Sequence, residues 1–470
     1  MATELYGVDA RLVESIGSTP VSTETNIIFI GASASGDLNK PYLITNMADY
    51  ASKLGGAAGD GYNLSEAALA AFNVAGIDKV YMIPVSHEEA LTAADYIGDS
   101  ELYTGAYAIE KLLNDSPSMV NIICAPSITD STVIDALLGV AKGYWKSFVL
   151  YDVVQNADQI NESGVVDASE VVEVKQFSDE YADAVWCNVK TSGGYIISGA
   201  ALRACLMAKA DAEMGVPGRC GGNLPINGIS GPVYQKTTET TYTHYGLTDI
   251  TSAGIKIETS AGVYVDWNDN AIYSTTVPGC EPIEIDGKVG IKSVGSGHTG
   301  YVPSVKETLT ETINVTIPQS AGNEMSADGV CSWINYGGGN WHTWGDHTSA
   351  FSAGSISDER GRFDNTTRML LLTMNRFQYK YRFTIDNPMT LQMRNDVINE
   401  QLDYLNNMVA IGALVGKPSV SFKPEDNSID SISQGRFVWD IEQTATPPFK
   451  YGLAKVAHTQ AGLSVYITEE

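Results

Sequence analysis

The first third of the chain alternates between short apolar runs and helical patterns, and this alternation limits the possible folds more than any other feature. Residues 26–30 and 80–84 are compact aliphatic runs suited to buried strands, and the alanine-rich stretch 65–75 between them predicts a helix. The pattern repeats as helix 107–113, strand 119–125, helix 133–141 and strand 147–152. Such alternation predicts an α/β layer. Residues 195–214, YIISGAALRACLMAKADAEM, predict a further helix closed by Gly215. Between them, 158–183 carries eight acids against Lys175 and reads as a solvated loop and helix.

Helix formers then thin out. Over 232–316, Thr, Tyr, Val and Ile alternate with Gly, Asp and Asn, which predicts a β-rich unit inserted into the α/β chain. Mixed structure returns from Ser326. In the C-terminal third the hub is 389–416, a predicted amphipathic helix with Leu391, Ile398, Leu402, Leu405, Val409 and Gly412 on one stripe. Asn387 and Pro388 suit its start and Gly416 the residue past its end. A strand is expected at 419–423. At the C-terminal end, Leu463, Val465 and Ile467 alternate with Ser464, Tyr466 and Thr468, the period of a strand.

Composition sets the function classes aside rather than choosing one. A net charge of -27 argues against nucleic acid and anionic membranes, which call for clustered Lys and Arg. No run approaches the ~18–20 apolar residues of a membrane span, and the first residues lack the apolar centre of a secretion signal, so synthesis in a cytosol is expected. The six cysteines are scattered without a CxxC pair, and reduced, buried thiols are expected. Against the acidic background, Arg360, Arg362, Arg368, Arg376, Lys380 and Arg382 form a local basic stretch. It reads either as a docking surface or as partners for the chain's own carboxylates.

Signals of catalysis are weak. The loop 31–36, GASASG, follows a strand, but it lacks the GxGxxG spacing, the closing Gly-Lys-Ser/Thr of a phosphate loop and the GxSxG elbow. An α/β hydrolase or nucleotide-binding enzyme would need Ser33 or Ser35 to react, or a phosphate at that loop. His342, Asp346 and His347 gather in WHTWGDH without a third firm metal ligand beside them, and no carboxylate pair stands out. No catalytic residue, metal or cofactor is expected.

Taken in order, several stretches resemble the sheath proteins of contractile phage tails and related contractile particles. They are NIIFIGASASGDLNKPYLITNMADYASKLGG, YNLSEAALAAFNVAGIDKVYMIPV, YTGAYAIEKL with VNIICAPSITD, FVLYD, ISGAALRACLMAKADAEMGVPGRCGGNLPING, GGGNWHTWGDHTSAF, RMLLLTMNRFQYKYRFTIDNPMTLQMRNDVINEQLDYLNNMVAIGALVG and SQGRFVWDIEQTATPPFKYGL. Two departures stand out: WGDHT lacks the arginine the family more often has before that threonine, and 232–316 exceeds what the family core needs.

The resemblance implies an α/β (α+β) fold with an N-terminal arm (1–20), an α/β core (21–231), the β-rich insertion (232–316), a C-terminal sheath domain (317–458) and a C-terminal arm strand (459–470). It implies a structural, non-enzymatic polymer of stacked hexameric rings around an inner tube, contracting to drive the tube through a cell envelope, as in genome ejection by a bacteriophage of the myovirus type. Partners would be further copies, the tail tube protein, and the baseplate and tail terminator proteins, with assembly in the host bacterial cytoplasm and final residence in the virion tail. Neither nucleic acid nor direct membrane insertion is implied. The family's arms add strands to neighbouring sheets, and they map here onto Leu5, Tyr6, Val8 and Leu12 and onto Leu463, Val465, Tyr466 and Ile467, with Gly17 and Gly462 as hinges. Another self-assembling, capsid-like surface protein is the remaining alternative, separable by the shape of the assembly.

Overall fold

The computed structural model describes residues 25–57, 59–88, 92–243, 304–352 and 359–460, together with the strand residues 257–258, 264–265, 280–285, 288–293 and 299–301. The arm and hinge residues named above, Leu5, Tyr6, Val8, Leu12, Gly17, Gly462, Leu463, Val465, Tyr466 and Ile467, lie outside them. The chain divides into a unit formed by its two ends up to Val233 and from Val315, and a smaller unit, Tyr234–Asn314.

In the larger unit, strands β1 (Thr25–Ala32), β2 (Tyr42–Ile44), β3 (Val80–Ser86), β4 (Val120–Cys124), β5 (Phe148–Asp152) and β6 (Ala182–Val185) begin a nine-stranded sheet. Helices α1 (Met47–Leu54), α2 (Asn63–Ala68, continuing as a π-helical turn over Leu69–Ala75), α3 (Ala93–Ile97), α4 (Tyr107–Asp115), α5 (Ser131–Ala141) and α6 (Ala168–Glu173) connect them. Strands β7 (Val189–Thr191) and β8 (Ile196–Ile197) pair antiparallel, α7 (Gly199–Met214) follows, and then come β9 (Pro225–Ile226) and β10 (Ile229–Thr243). The smaller unit contains an antiparallel pair, β11 (Ile257–Glu258) with β12 (Tyr264–Val265), a three-stranded antiparallel sheet of β13 (Cys280–Ile285), β14 (Lys288–Ser293) and β15 (Thr299–Tyr301), and β16 (Ser304–Asn314). The chain then forms α8 (Gln319–Ala327), β17 (Val330–Asn335), β18 (Trp341–Trp344), α9 (Asp364–Tyr381), α10 (Leu391–Ala410), β19 (Ser419–Ser421), α11 (Ile429–Ser433) and β20 (Asp440–Glu442).

The large sheet runs β2-β3-β1-β4-β5-β6-β17-β18-β9. β1 lies parallel between β3 and β4, with Ile28 opposite Tyr81 on one side and Ile123 on the other. Its centre is buried on both faces, so β1, β4 and β5 are continuous apolar runs rather than alternating ones. Helix α7 packs on β1, β4, β5 and β6. It is buried over most of its surface, Arg203 and Asp211 included, and its small residues let it approach closely: a Cβ on Gly199 would lie 2.4 Å from the Cys187 carbonyl oxygen. Ser198 caps its start, and Gly215 ends it at φ +79. The architecture is α/β with an additional C-terminal helical layer.

That layer departs from expectation in three places. A helix absent from the sequence reading, α9, spans most of the basic stretch and buries Met369, Leu371 and Leu372. The start of α10 is Thr390, whose hydroxyl accepts from the Met393 amide, and not Asn387–Pro388; Asn387 closes a turn with Thr384 before it. The helix stops at Ala410, and Gly412 at φ +80 turns the chain, four residues before the expected Gly416. The buried seam of α10 is Val397, Gln401 and Leu405. Leu405 joins Met119, Val120, Val216, Met369, Leu372, Ala413 and Leu414 in one core, while Leu391, the first residue of the expected stripe, is 74% exposed.

Candidate functional site

In open α/β sheets, ligands usually sit outside the carboxyl ends of the parallel strands. Here that crevice is tied shut by side chains. Asn63 accepts from the Ala32 amide at 2.6 Å and donates to the Tyr96 hydroxyl at 2.6 Å and to the Pro126 carbonyl at 3.1 Å. Asp152, at the end of β5, accepts from the Ser127 amide, the Ser198 hydroxyl and the Ala200 amide. Burial pushes its carboxyl upward, against these hydrogen bonds. Ser127 in turn donates to Glu66. Burial raises Glu66 to about 7, opposed by that hydroxyl and assisted by the charge of Asp152. Ser33 is fully buried, its hydroxyl spent on the Ser35 carbonyl, and its amide is bonded to Ser86. The loop after β1 leads toward β2, with Ser35 exposed and its amide bonded to the Leu54 carbonyl at the end of α1.

The histidine-rich turn brings His347 Nε2 to 3.8 Å from Asp346, and each member also has other partners. His342 faces the Asn223 carbonyl and the Asn340 side chain, His347 stacks between Phe351 and Phe363 with Nδ1 at the Arg362 carbonyl, and Asp346 pairs with Lys450. Among the described residues no three His, Cys, Asp or Glu side chains come together to hold a metal ion. No described helix is long and apolar enough to cross a membrane.

The basic stretch resolves residue by residue. Arg368 is 1% exposed and holds both oxygens of Asp211 at 2.7 Å, so it belongs to the interior and not to a docking face. Arg376 donates to Gln401 and lies over the Tyr404 ring at 3.8 Å. Lys380 pairs with Glu400 at 2.7 Å. Arg382 lies over Tyr379 and Phe383, and Arg362 over Phe351. Arg360 lines a groove beside α9 and has a partner of its own. Pairing within the chain accounts for most of these charges. The "solvated" acidic stretch also loses a member to the core: Asp183, on β6, is fully buried against Arg203.

The surface that stands out instead surrounds β19 and β20. These strands pair antiparallel over three residues each, Val420 opposite Ile441, as a sheet of two strands among the described residues. Two such strands are marginal alone. An aromatic cluster of Phe377, Tyr381, Phe422, Phe437 and Trp439 supports the pair from one side. Trp439 lines two grooves, of about 650 Å³ and about 430 Å³. Around them Phe383, Ile385 and Ile429 are each more than 70% exposed. From Thr446 to Thr459 the chain forms neither helix nor strand, and Phe449, Tyr451 and Val456 are at least 80% exposed. Among the described residues, exposed apolar side chains thus surround a sheet of only two strands, the kind of surface that interaction sites use. Sequence periodicity could not reveal it, because it arises from chain segments 60 residues apart.

No family model and no curated protein matches the chain. Among solved structures, the chain is similar to one from the anti-feeding prophage baseplate, at 14% identity and a TM-score of 0.57, covering 97% of this chain and 100% of that one. It is similar to a chain of an extracellular contractile injection system, the PVC sheath complex in its contracted state, at 12% identity and a TM-score of 0.58, covering 98% and 100%. A third match is the anti-feeding prophage baseplate in its contracted state, at 13% identity, a TM-score of 0.58 and 97% and 100% coverage. Across nearly its whole length, the chain has the fold of proteins that build these contractile particles.

Proposed function

We propose that the chain is a structural subunit of a contractile sheath, acting by polymerisation rather than catalysis. The observation that carries this is the β19–β20 sheet, of two strands among the described residues, with its exposed apolar surround, in a chain whose fold matches contractile-particle proteins over nearly its whole length. In the reading, copies form stacked hexameric rings around an inner tube. The segment holding Leu463, Val465, Tyr466 and Ile467 and the segment holding Leu5, Tyr6, Val8 and Leu12 each leave their own body and add strands to the open edges of a neighbour's β19–β20 pair. Strand addition uses main-chain hydrogen bonds, each contributing ~1 kcal/mol net, and needs no wide flat interface. Gly17 and Gly462 let rigid bodies turn about the joined arms while the joints persist.

Contraction then needs no nucleotide. It follows from contacts between subunit bodies that are more extensive in the contracted arrangement. The tube, baseplate and terminator proteins are the remaining partners, and the finished particle is where the subunit resides. The test is assembly: purified full-length protein should form hollow cylinders by negative-stain electron microscopy, and Trp439→Ala, which empties the centre of the acceptor, should abolish them while leaving the monomer folded. Cylinders of normal length from that variant would remove the acceptor from the reading.

A further inference from the structure

Five charged side chains form a continuous buried network through the larger unit. Asp183 on β6 accepts from Arg203 Nε at 3.0 Å and Nη2 at 2.9 Å. Arg203 Nη2 also donates to Asp364 at 3.1 Å. Asp364 faces Arg368 at 3.6 Å, and Arg368 grips Asp211 on α7 through two hydrogen bonds of 2.7 Å. All five are at most 1% exposed. Replacing such a network with apolar residues often stabilises a fold, so stability alone is a weak reason for its presence.

The two ends of the network suggest its use. At one end, the Thr25 hydroxyl donates to Asp211 at 2.7 Å, and Thr25 is where β1 receives the N-terminal segment. At the other, Asn365, next to Asp364, donates to the Thr446 carbonyl at 2.9 Å, and the Asp364 amide bonds the Asp346 carbonyl, whose side chain holds Lys450. Thr446 and Lys450 are where the C-terminal extension leaves the body. Two further donations, Arg203 to the Gly221 carbonyl and Arg368 to the Arg219 carbonyl, fasten the loop between α7 and β9 to the same charges.

We infer that this network is a tension-bearing tie between the roots of the two terminal arms. A pull on the C-terminal extension reaches α9 through Asn365 and Asp346, crosses to α7 and β6 through Arg368, Asp364 and Arg203, and arrives at the base of β1. Apart from it, the α9–α10 layer is held to the sheet by the apolar core around Leu405 and Met369 and by Asn375, which bonds the Met119 carbonyl and the main chain of Lys146. Directional, charge-assisted hydrogen bonds resist displacement over a short distance and then fail together. The purpose of the tie rests on the sheath reading, where arms carry load between subunits; the mechanical property does not.

The experiment is optical-tweezers pulling on the full-length monomer through handles at Ala2→Cys and Glu469→Cys. The wild-type body is expected to yield in one cooperative event. Arg368→Met should instead release the segment from residue 364 onward first, seen as a contour gain of roughly 3.3–3.6 Å per freed residue, at a rate on the order of 100-fold higher at fixed force. Leu138→Ala, which opens the buried face of α5 away from the network, controls for general destabilisation and should keep the single event. Should Arg368→Met also yield in one event, or release no faster than Leu138→Ala at equal thermal stability, the tie is refuted. Because only the monomer is pulled, that failure would leave assembly into cylinders unaffected.

Discussion

Two leucines on one helix separate folding from assembly. Leu405 of α10 is fully buried among Met369, Leu372 and Leu414, whereas Leu391 at the start of the same helix is 74% exposed. Truncating Leu405 to alanine removes transfer energy and leaves a cavity, at a cost of ~2–5 kcal/mol. With a urea slope of about 3 kcal/mol per molar, the unfolding midpoint falls by about 1 M. Leu391→Ala loses little that is buried in the monomer and should shift the midpoint by less than about 0.2 M. If neighbouring copies cover this surface, burying that side chain contributes ~1.5 kcal/mol or more at each contact. The critical concentration for cylinder formation, read by sedimentation, should then rise roughly tenfold. The reasoning fails if Leu391→Ala destabilises the monomer as much as Leu405→Ala does, or if it leaves the critical concentration where it was.

Further expectations follow from the packed crevice and the arms. Asn63→Ala strands the Ala32 amide and the Tyr96 hydroxyl in the interior. It should lower stability by ~3 kcal/mol in a denaturant titration; a neutral effect would mean the crevice is not filled as described. Glu66, held up to about 7 by burial, keeps in the folded state a proton that the unfolded chain releases near its ordinary ~4.3. Its contribution to stability is therefore full below pH ~4 and lost as pH rises through about 7. Glu66→Gln should flatten the stability profile across that window and raise the melting temperature at pH 8; a slope unchanged by the substitution would assign it to another group. In the C-terminal segment, Val465→Pro should impair assembly more than Tyr466→Ala, because proline deletes a ladder donor and alanine only a side chain. Equal effects, by electron microscopy of both variants, would argue that side chains rather than main chain make the joint.

The parallel sheet was legible because its strands are buried on both faces and its helices fall between them. β1, β3, β4 and β5 lie where uninterrupted aliphatic runs predicted strands. Helix α9 was not legible, because its bases look like a solvated face while three of its apolar residues and Arg368 point inward. Nothing local distinguishes an arginine bound for Asp211, 157 positions away, from one bound for water. Gln401 illustrates the same limit: it occupies the buried seam of α10 because it bonds both the Arg376 guanidinium and the Tyr381 hydroxyl. Leu391, Ile398 and Leu402 are apolar, but the buried seam runs through Val397, Gln401 and Leu405, and periodicity alone does not say which side of the helix faces the core. The aromatic cluster around Trp439 was not legible for a related reason: Phe377, Phe422 and Trp439 meet only in the folded chain.

The central claim is that this polypeptide completes its sheet with strands lent by other copies. The most direct measurement is cryo-electron microscopy of the purified full-length protein beside a version ending at residue 462. The account predicts ordered cylinders from the first, with added strands along the edges of β19 and β20, and dispersed, folded monomers from the second. Cylinders of equal length and order from both, or a full-length protein that stays monomeric at high concentration with residues 463–468 paired to its own sheet, would contradict it.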